Sequence, residues 1–150
     1  MHLRDFFTPR RVDLHLTGDS RNEVLEALIA LLELDDRSST VLSRTLRRRE
    51  NLGSTGIGRG IAIPHCRSLV VTRLHMAYGR HPEGVDFRSI DNRPARHFFL
   101  IVAPPLEVSG RYLPVLGKVA QFAKEADVPG RLAALASAGE FFELLDSKGV

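Results

Sequence analysis

Residues 97–103, His97-Phe98-Phe99-Leu100-Ile101-Val102-Ala103, form a nearly continuous apolar run. A strand with one solvated face alternates apolar and polar side chains, whereas an unbroken run suits a strand covered on both faces. The run therefore predicts a central strand over 96–103 with helices packed above and below it. Working outward, Asp91-Asn92-Arg93-Pro94 is a turn by composition, and residues 69–79 before it read as a second strand. On the other side, Leu116, Val119, Ala120 and Ala123 recur at helical spacing. Pro114 turns Leu113 away from helical geometry and is comfortable in a first turn, so this helix is expected to begin at Pro114.

Earlier in the chain, Val12, Leu14 and Leu16 alternate with Asp13 and His15, the period of a half-buried strand. Ser20 followed by Glu23 is a capping box, and the apolar spacing behind it predicts an amphipathic helix over 20–34. A second helix is expected from about Ser39 to Arg49. Ser137 with Glu140 is another capping box and opens a last helix through Phe141, Phe142, Leu144 and Leu145. Strands interspersed with helices give the expected fold class: α/β, a three-layer α/β/α domain with a central mixed sheet flanked by helices. No linker, repeat or low-complexity stretch divides residues 1–150, so one domain is expected.

Composition narrows the function classes. The chain has 150 residues, 43% hydrophobic and 26% charged, which suits a single globular core and excludes fibrous and disordered classes. No apolar run approaches the ~20 residues that span a bilayer, so no direct membrane insertion is expected. The first residues lack a basic-then-apolar leader, and the single Cys66 can form no internal disulfide. A cytoplasmic home is the natural expectation. Arginine supplies 18 of the 21 basic residues. The one local cluster, Arg44, Arg47, Arg48 and Arg49, has neither zinc-finger spacing nor aromatic RNA-binding companions, so no nucleic acid is expected as a partner.

The chemistry concentrates in Arg49-Glu50-Asn51-Leu52-Gly53-Ser54-Thr55-Gly56-Ile57-Gly58-Arg59-Gly60-Ile61-Ala62-Ile63-Pro64-His65-Cys66-Arg67. Four glycines within eight residues permit unusual backbone angles and close approach of another group. Ser54 and Thr55 add hydroxyl donors, and successive backbone N–H groups around Gly56 can form an anion nest. Arg49, Arg59 and Arg67 surround the loop with positive charge. Ile61-Ala62-Ile63 reads as a short buried strand closed by Pro64, with His65 at its end. A phosphate-binding Walker loop needs a Gly-Lys-Ser/Thr ending that is absent, and the dinucleotide fingerprint needs different glycine spacing and a following helix. Metal binding is not expected, because His65, His75, His81 and His97 lack paired ligand spacing. No Gly-x-Ser-x-Gly elbow occurs. What remains is a histidine facing a phosphate-ready loop, the arrangement required by an imidazole that itself accepts a phosphoryl group.

The run Ser54-Thr55-Gly56-Ile57-Gly58-Arg59-Gly60-Ile61-Ala62-Ile63-Pro64-His65, with the Arg49–Glu50 pair upstream, resembles the IIA domains of the fructose/mannitol class of the bacterial phosphotransferase system. The nitrogen-regulatory branch looks closest. The resemblance extends to Phe87, to the Ile90-Asp91-Asn92-x-Pro94 turn and to the apolar strand after it. It implies a phosphocarrier that takes a phosphoryl group on His65, through Nε2, from a histidine-containing phosphocarrier protein. Onward transfer would go to a IIB domain, or the phosphorylated state would act on a regulated target protein. By the same resemblance Arg49 contacts the phosphate, Ser54, Thr55 and Gly56 support it, and no cofactor is implied. The family usually carries a second histidine near the start of the helix after the apolar strand; here Tyr112 falls at that position, beside Arg111. A phenol cannot carry positive charge near neutrality, a charge that Arg111 could replace. Tyr112, Arg111, Arg59 and Arg67 are thus candidates for the site wall or for partner contact, and a regulatory protein-binding module with weak phosphotransfer is the alternative reading. Cys66 is expected to be a packing residue.

Overall fold

A computed structural model describes residues 1–150. Six strands form one sheet: β1 (Val12–Asp13), β2 (Gly56–Gly58), β3 (Ile61–Ala62), β4 (His65–Arg67), β5 (His75–Val85) and β6 (Ala95–Ala103). The helices are α1 (Arg21–Ala30), α2 (Asp36–Leu52), α3 (Tyr112–Ala123), α4 (Val128–Ala133) and α5 (Ala138–Ser147). The order β1-β5-β6-β3-β2 mixes directions: β1 is parallel to β5, β5 antiparallel to β6, and both β3 and β4 run parallel to β6.

The apolar run is the central strand, and its two parities feed two cores. Phe99, Ile101 and Ala103 pack with α3, α4, α5 and the N-terminal single turn at Leu3–Phe6. Phe98, Leu100 and Val102 pack with α1 and α2. Both faces are covered, which is why this strand carries no polar alternation.

The capping boxes open α1 and α5 where expected. Ser20 Oγ accepts from the Glu23 N–H and Ser137 Oγ from the Glu140 N–H, each at 3.2 Å. In both, the glutamate reaches one residue beyond the cap, to the N–H of Asp19 and of Ala136. Helix α1 stops at Ala30, short of the expected 34, with Glu33 at a φ of 56°. Helix α2 begins three residues before the expected Ser39, because Asp35 accepts from the N–H and hydroxyl of Ser38.

Two expected boundaries are corrected. The second strand is 75–85, not 69–79: Leu69 is exposed, and the strand continues through the polar His81-Pro82-Glu83 by a register shift between Arg80 and Val85. Helix α3 starts at Tyr112 rather than Pro114, because the Glu107 carboxylate accepts the N–H groups of Arg111 and Tyr112 and fixes an earlier start. Of the strand expected at 12–16, Val12 and Asp13 form the ladder with β5, and Leu16 adds one further N–H bond to the Arg80 carbonyl at 2.9 Å.

Candidate functional site

Strands β3 and β4 are two halves of one line along β6. Ile61 lies opposite His97, His65 opposite Ile101 and Arg67 opposite Ala103, in a single register. The interruption is Ile63-Pro64: the Ile63 N–H turns to the Thr55 carbonyl at 3.0 Å, and Pro64 has no N–H to give. His65 therefore opens β4 rather than ending a strand. It lies beside the last third of β6, from which the chain leaves toward α3. Side chains alternate along this line, so His65 and Arg67 share the face of Ile61 and Ile63, toward α3, while Cys66 packs with the α1–α2 core.

The imidazole is half-buried, and its Nδ1 is 2.6 Å from the Ile63 carbonyl oxygen. A carbonyl only accepts, so this contact places the proton on Nδ1 and leaves the Nε2 lone pair outward. Cys66 is buried and its thiol is pushed up to about 12 by burial, which leaves it inert, as its packing role requires.

Arg49 ends α2 from the opposite face of the sheet, and its Nη1 donates to the Gly53 carbonyl at 2.7 Å. A cation in the last turn is also favoured by the helix dipole. Tyr112 starts α3, 7% exposed, with the Arg67 guanidinium carbon 4.5 Å above its ring centroid. Burial raises the Tyr112 hydroxyl pKa and the charges of Arg67 and Arg49 oppose that rise, so the C-terminal end of α2, strand β4 and the first turn of α3 converge here. Arg67 Nη1 further donates to the carbonyls of Pro104 and Pro105, at 3.3 and 3.5 Å.

Other expected site residues are placed differently. Arg59 donates to the carbonyls of Ala123 and Lys124, capping the C-terminal end of α3. That is about 17 Å, a full helix length, from the Tyr112 end, so Arg59 is not part of the site wall. The Ser54 hydroxyl donates to the Phe87 carbonyl and accepts from the Gly56 N–H. The Thr55 hydroxyl donates to Glu50, whose carboxylate also accepts the Thr55 N–H at 3.0 Å. Both hydroxyl protons are thus committed to shaping the loop and are not turned toward a phosphate. Gly56 is required by close packing: a Cβ there would sit 2.2 Å from Ser89 Oγ. Arg111 is exposed, and its guanidinium makes no hydrogen bond.

Glu50 is the residue that sequence reasoning gave no task. It is 2% exposed and holds Thr55 by two bonds, fixing the start of the glycine loop against α2. Its signal was an acidic residue in the last turn of a helix, where the dipole disfavours it and another reason must keep it. No group of three or more His, Cys, Asp or Glu side chains is arranged to hold a metal ion. No helix is long and apolar enough to cross a membrane.

A mixed-sheet, three-layer domain with a glycine-rich turn leading into a Pro-His step beside the central strand is the class of phosphotransferase-system IIA domains. The chain belongs to the EIIA 2 family of the phosphoenolpyruvate-dependent sugar phosphotransferase system, whose model matches residues 5–148. It is 32% identical to a nitrogen regulatory protein of Pseudomonas aeruginosa, over 97% of this chain and 95% of that protein. It is 33% identical to the fructose-specific EIIABC component of Bacillus subtilis over 69% of this chain, spanning only 16% of that much longer protein. The crystal structure of nitrogen regulatory protein IIA-Ntr from Neisseria meningitidis superposes with a TM-score of 0.85 at 29% identity, covering 94% of this chain and 97% of that one.

Proposed function

We propose that this chain is a phosphocarrier whose covalent group is His65. The observation that carries the reading is the Nδ1 bond to Ile63, because it presents an unprotonated Nε2 in a fixed direction without help from a general base. Nε2 attacks the phosphorus of a phosphohistidine on a histidine-containing phosphocarrier protein. The new N–P bond forms as the donor's N–P bond breaks, and that electron pair stays on the donor imidazole. Transfer of this kind needs positioning and charge stabilisation above all. Arg49 supplies a guanidinium for the equatorial oxygens, and Arg67, held over Tyr112, supplies a second on the side where relatives of the family carry another histidine.

A protein donor suits the surroundings. Leu69, Leu106, Val108 and Leu113 are large apolar side chains between 68% and 98% exposed, on β4's exit, the β6–α3 loop and the first turn of α3. Exposed large apolar side chains grouped beside a polar site mark a surface that binds another protein. The acceptor is a IIB domain, or a regulated target that reads the phosphorylated state, and exchange with such partners implies a cytoplasmic place.

Tyr112 favours a second reading. Its phenol cannot become a cation near neutrality, so onward transfer would be slow and the phosphorylated form long-lived, as suits a regulatory module.

The test is incubation with phosphoenolpyruvate and the organism's own first enzyme and phosphocarrier, followed by mass spectrometry. One phosphoryl group should appear on His65, lost in acid and stable in alkali. Label that survives acid, or persists in His65→Ala, would remove His65 from the role.

A further inference from the structure

At the opposite end of the sheet from His65, a separate cavity of about 260 Å³ is bounded by His15, Arg80, His81, Pro82, Arg96 and His97, with Ala133 of α4 closing one side. Two arginines and three histidines line it, and no carboxylate does. Asp13, two residues before His15, is turned onto the backbone N–H of His15 at 2.8 Å, and Glu83, next to Pro82, is exposed and does not line the cavity.

His97 is the informative member. It is 3% exposed, and its Nδ1 meets the Tyr78 hydroxyl at 2.9 Å. Tyr78 is fully buried and its hydroxyl has no other partner, so its proton has one place to go: it donates to Nδ1. The one N–H proton of the neutral ring therefore sits on Nε2, which has no partner in the protein, and His97 lines the cavity. Burial and the charges of Arg80 and Arg96 press His97 toward the neutral form, at about 4.

Both arginines have donors to spare. Arg80 uses Nε on the Leu14 carbonyl and Nη1 on the carbonyls of Leu132, Ala133 and Leu135, which leaves Nη2 free. Arg96 uses Nη1 on the Pro82 carbonyl, which leaves Nε and Nη2. Four bonds fix the Arg80 guanidinium, and one ties the exposed Arg96 to Pro82. His81 is a finished wall: Nε2 donates to the Gly18 carbonyl and Nδ1 accepts the Gly84 N–H.

We infer that this cavity is a binding site for a small tetrahedral oxyanion, inorganic phosphate or the phosphate of a small monoester. His97 Nε2–H, Arg80 and Arg96 would be its donors. The size admits a phosphate and a few further atoms, and pre-placed guanidiniums beside a neutral N–H donor match its acceptor oxygens. Its place at the far end of β6 separates it from His65, so the inference stands independently of the phosphocarrier reading.

The test is a titration of the full chain followed by two-bond proton–nitrogen NMR of the histidine rings. Sulfate, whose charge is constant across the pH range, serves as the reference oxyanion. Inorganic phosphate and glycerol phosphate are the other arms. The His97 ring signals should move saturably, and bound sulfate should raise the His97 pKa by about one unit or more, since an adjacent anion favours the imidazolium. The ester binding more tightly would identify a small phosphorylated metabolite; equal binding would identify inorganic phosphate. Arg96→Gln, which changes an exposed side chain, should weaken sulfate binding by about tenfold or more, the worth of one charge-assisted bond. Signals that move only at His65, an equal response to chloride, or undiminished binding in Arg96→Gln would each overturn the assignment.

Discussion

The guanidinium of Arg67 lies over the aromatic ring of Tyr112, with its central carbon 4.5 Å from the ring centroid. Contacts of this kind are worth about 0.5–1 kcal/mol when exposed and more when desolvated. They also fix direction: Arg67 shares its face of β4 with His65, and the ring below it blocks retreat. A permanent cation is therefore held beside Tyr112, the position at which the family resemblance implies a second histidine.

Removing that cation and removing the hydroxyl beneath it should differ. Tyr112→Phe keeps the stacking surface and loses a hydroxyl that has no hydrogen bond, so acceptance of phosphate at His65 should change less than about threefold, as one weak contact allows. Arg67→Ala should slow acceptance by about tenfold or more, the scale of one charge-assisted contact. Tyr112→His should speed transfer to a IIB-type acceptor, most at mildly acidic pH, because an imidazole with an unperturbed pKa of about 6.5 charges there and the phenol does not. Rates by rapid-quench labelling check all three. A Tyr112→His rate unchanged across pH 5.5–8, about a unit either side of that pKa, would show that the missing histidine does not limit transfer.

For Arg49 the expected cost is larger. Loss of a preorganised donor to the transferring group costs about 2.7–4 kcal/mol in the transition state, two to three orders of magnitude in rate. Arg49→Ala also loses the bond to Gly53 that closes α2, so circular dichroism must accompany the kinetics. Arg49→Lys keeps the charge near the helix end and should recover the fold fully but the rate only in part, because the bidentate fork is gone. An undiminished rate in Arg49→Ala would take it out of the site.

Glu50→Gln separates loop architecture from chemistry. The carboxylate accepts two donors from Thr55; an amide turns its NH₂ toward one of them and leaves a buried donor unsatisfied. That costs about 1–3 kcal/mol, a fall in Tm of about 2–10 °C for a chain of this size. Thermal unfolding measures it, and a Tm within a degree of the parent would contradict the buried-acceptor role.

Stability should fall in mild acid because of two buried histidines other than His65. His75 and His97 are both pressed to about 4, chiefly by burial and then by neighbouring arginines. The unfolded chain protonates them near 6.5, so between about 6.5 and 4 the unfolded state binds more protons than the folded one. Each contribution is complete above pH 6.5 and is lost as pH falls toward 4, by up to about 3 kcal/mol per histidine. Denaturant midpoints measured from pH 7 to 4 should show this slope, and it should flatten in His75→Gln. A flat profile in the parent would mean that neither ring is held neutral.

The amino-acid sequence by itself determined what depends on neighbours along the chain. The unalternating run at 97–103 marked a strand covered on both faces, Ser20 and Ser137 opened their helices through bonds three residues away, and the Gly53–His65 stretch marked the candidate site. The tertiary structure decided what depends on which distant backbone a side chain can reach. Arg59 and Arg67 are both arginines near the glycine loop, yet one caps the far end of α3 and the other lies on Tyr112. Ser54 and Thr55 look like free donors in sequence, and only the approach of Phe87 and the buried Glu50 commits them. The start of α3 moved for the same reason, since Glu107 accepts its first N–H groups. A hydroxyl or guanidinium carries several equivalent donors and no preference among acceptors; the register of β3 and β4 against β6 brings particular carbonyls within about 3 Å, and that register is a long-range property of the sheet.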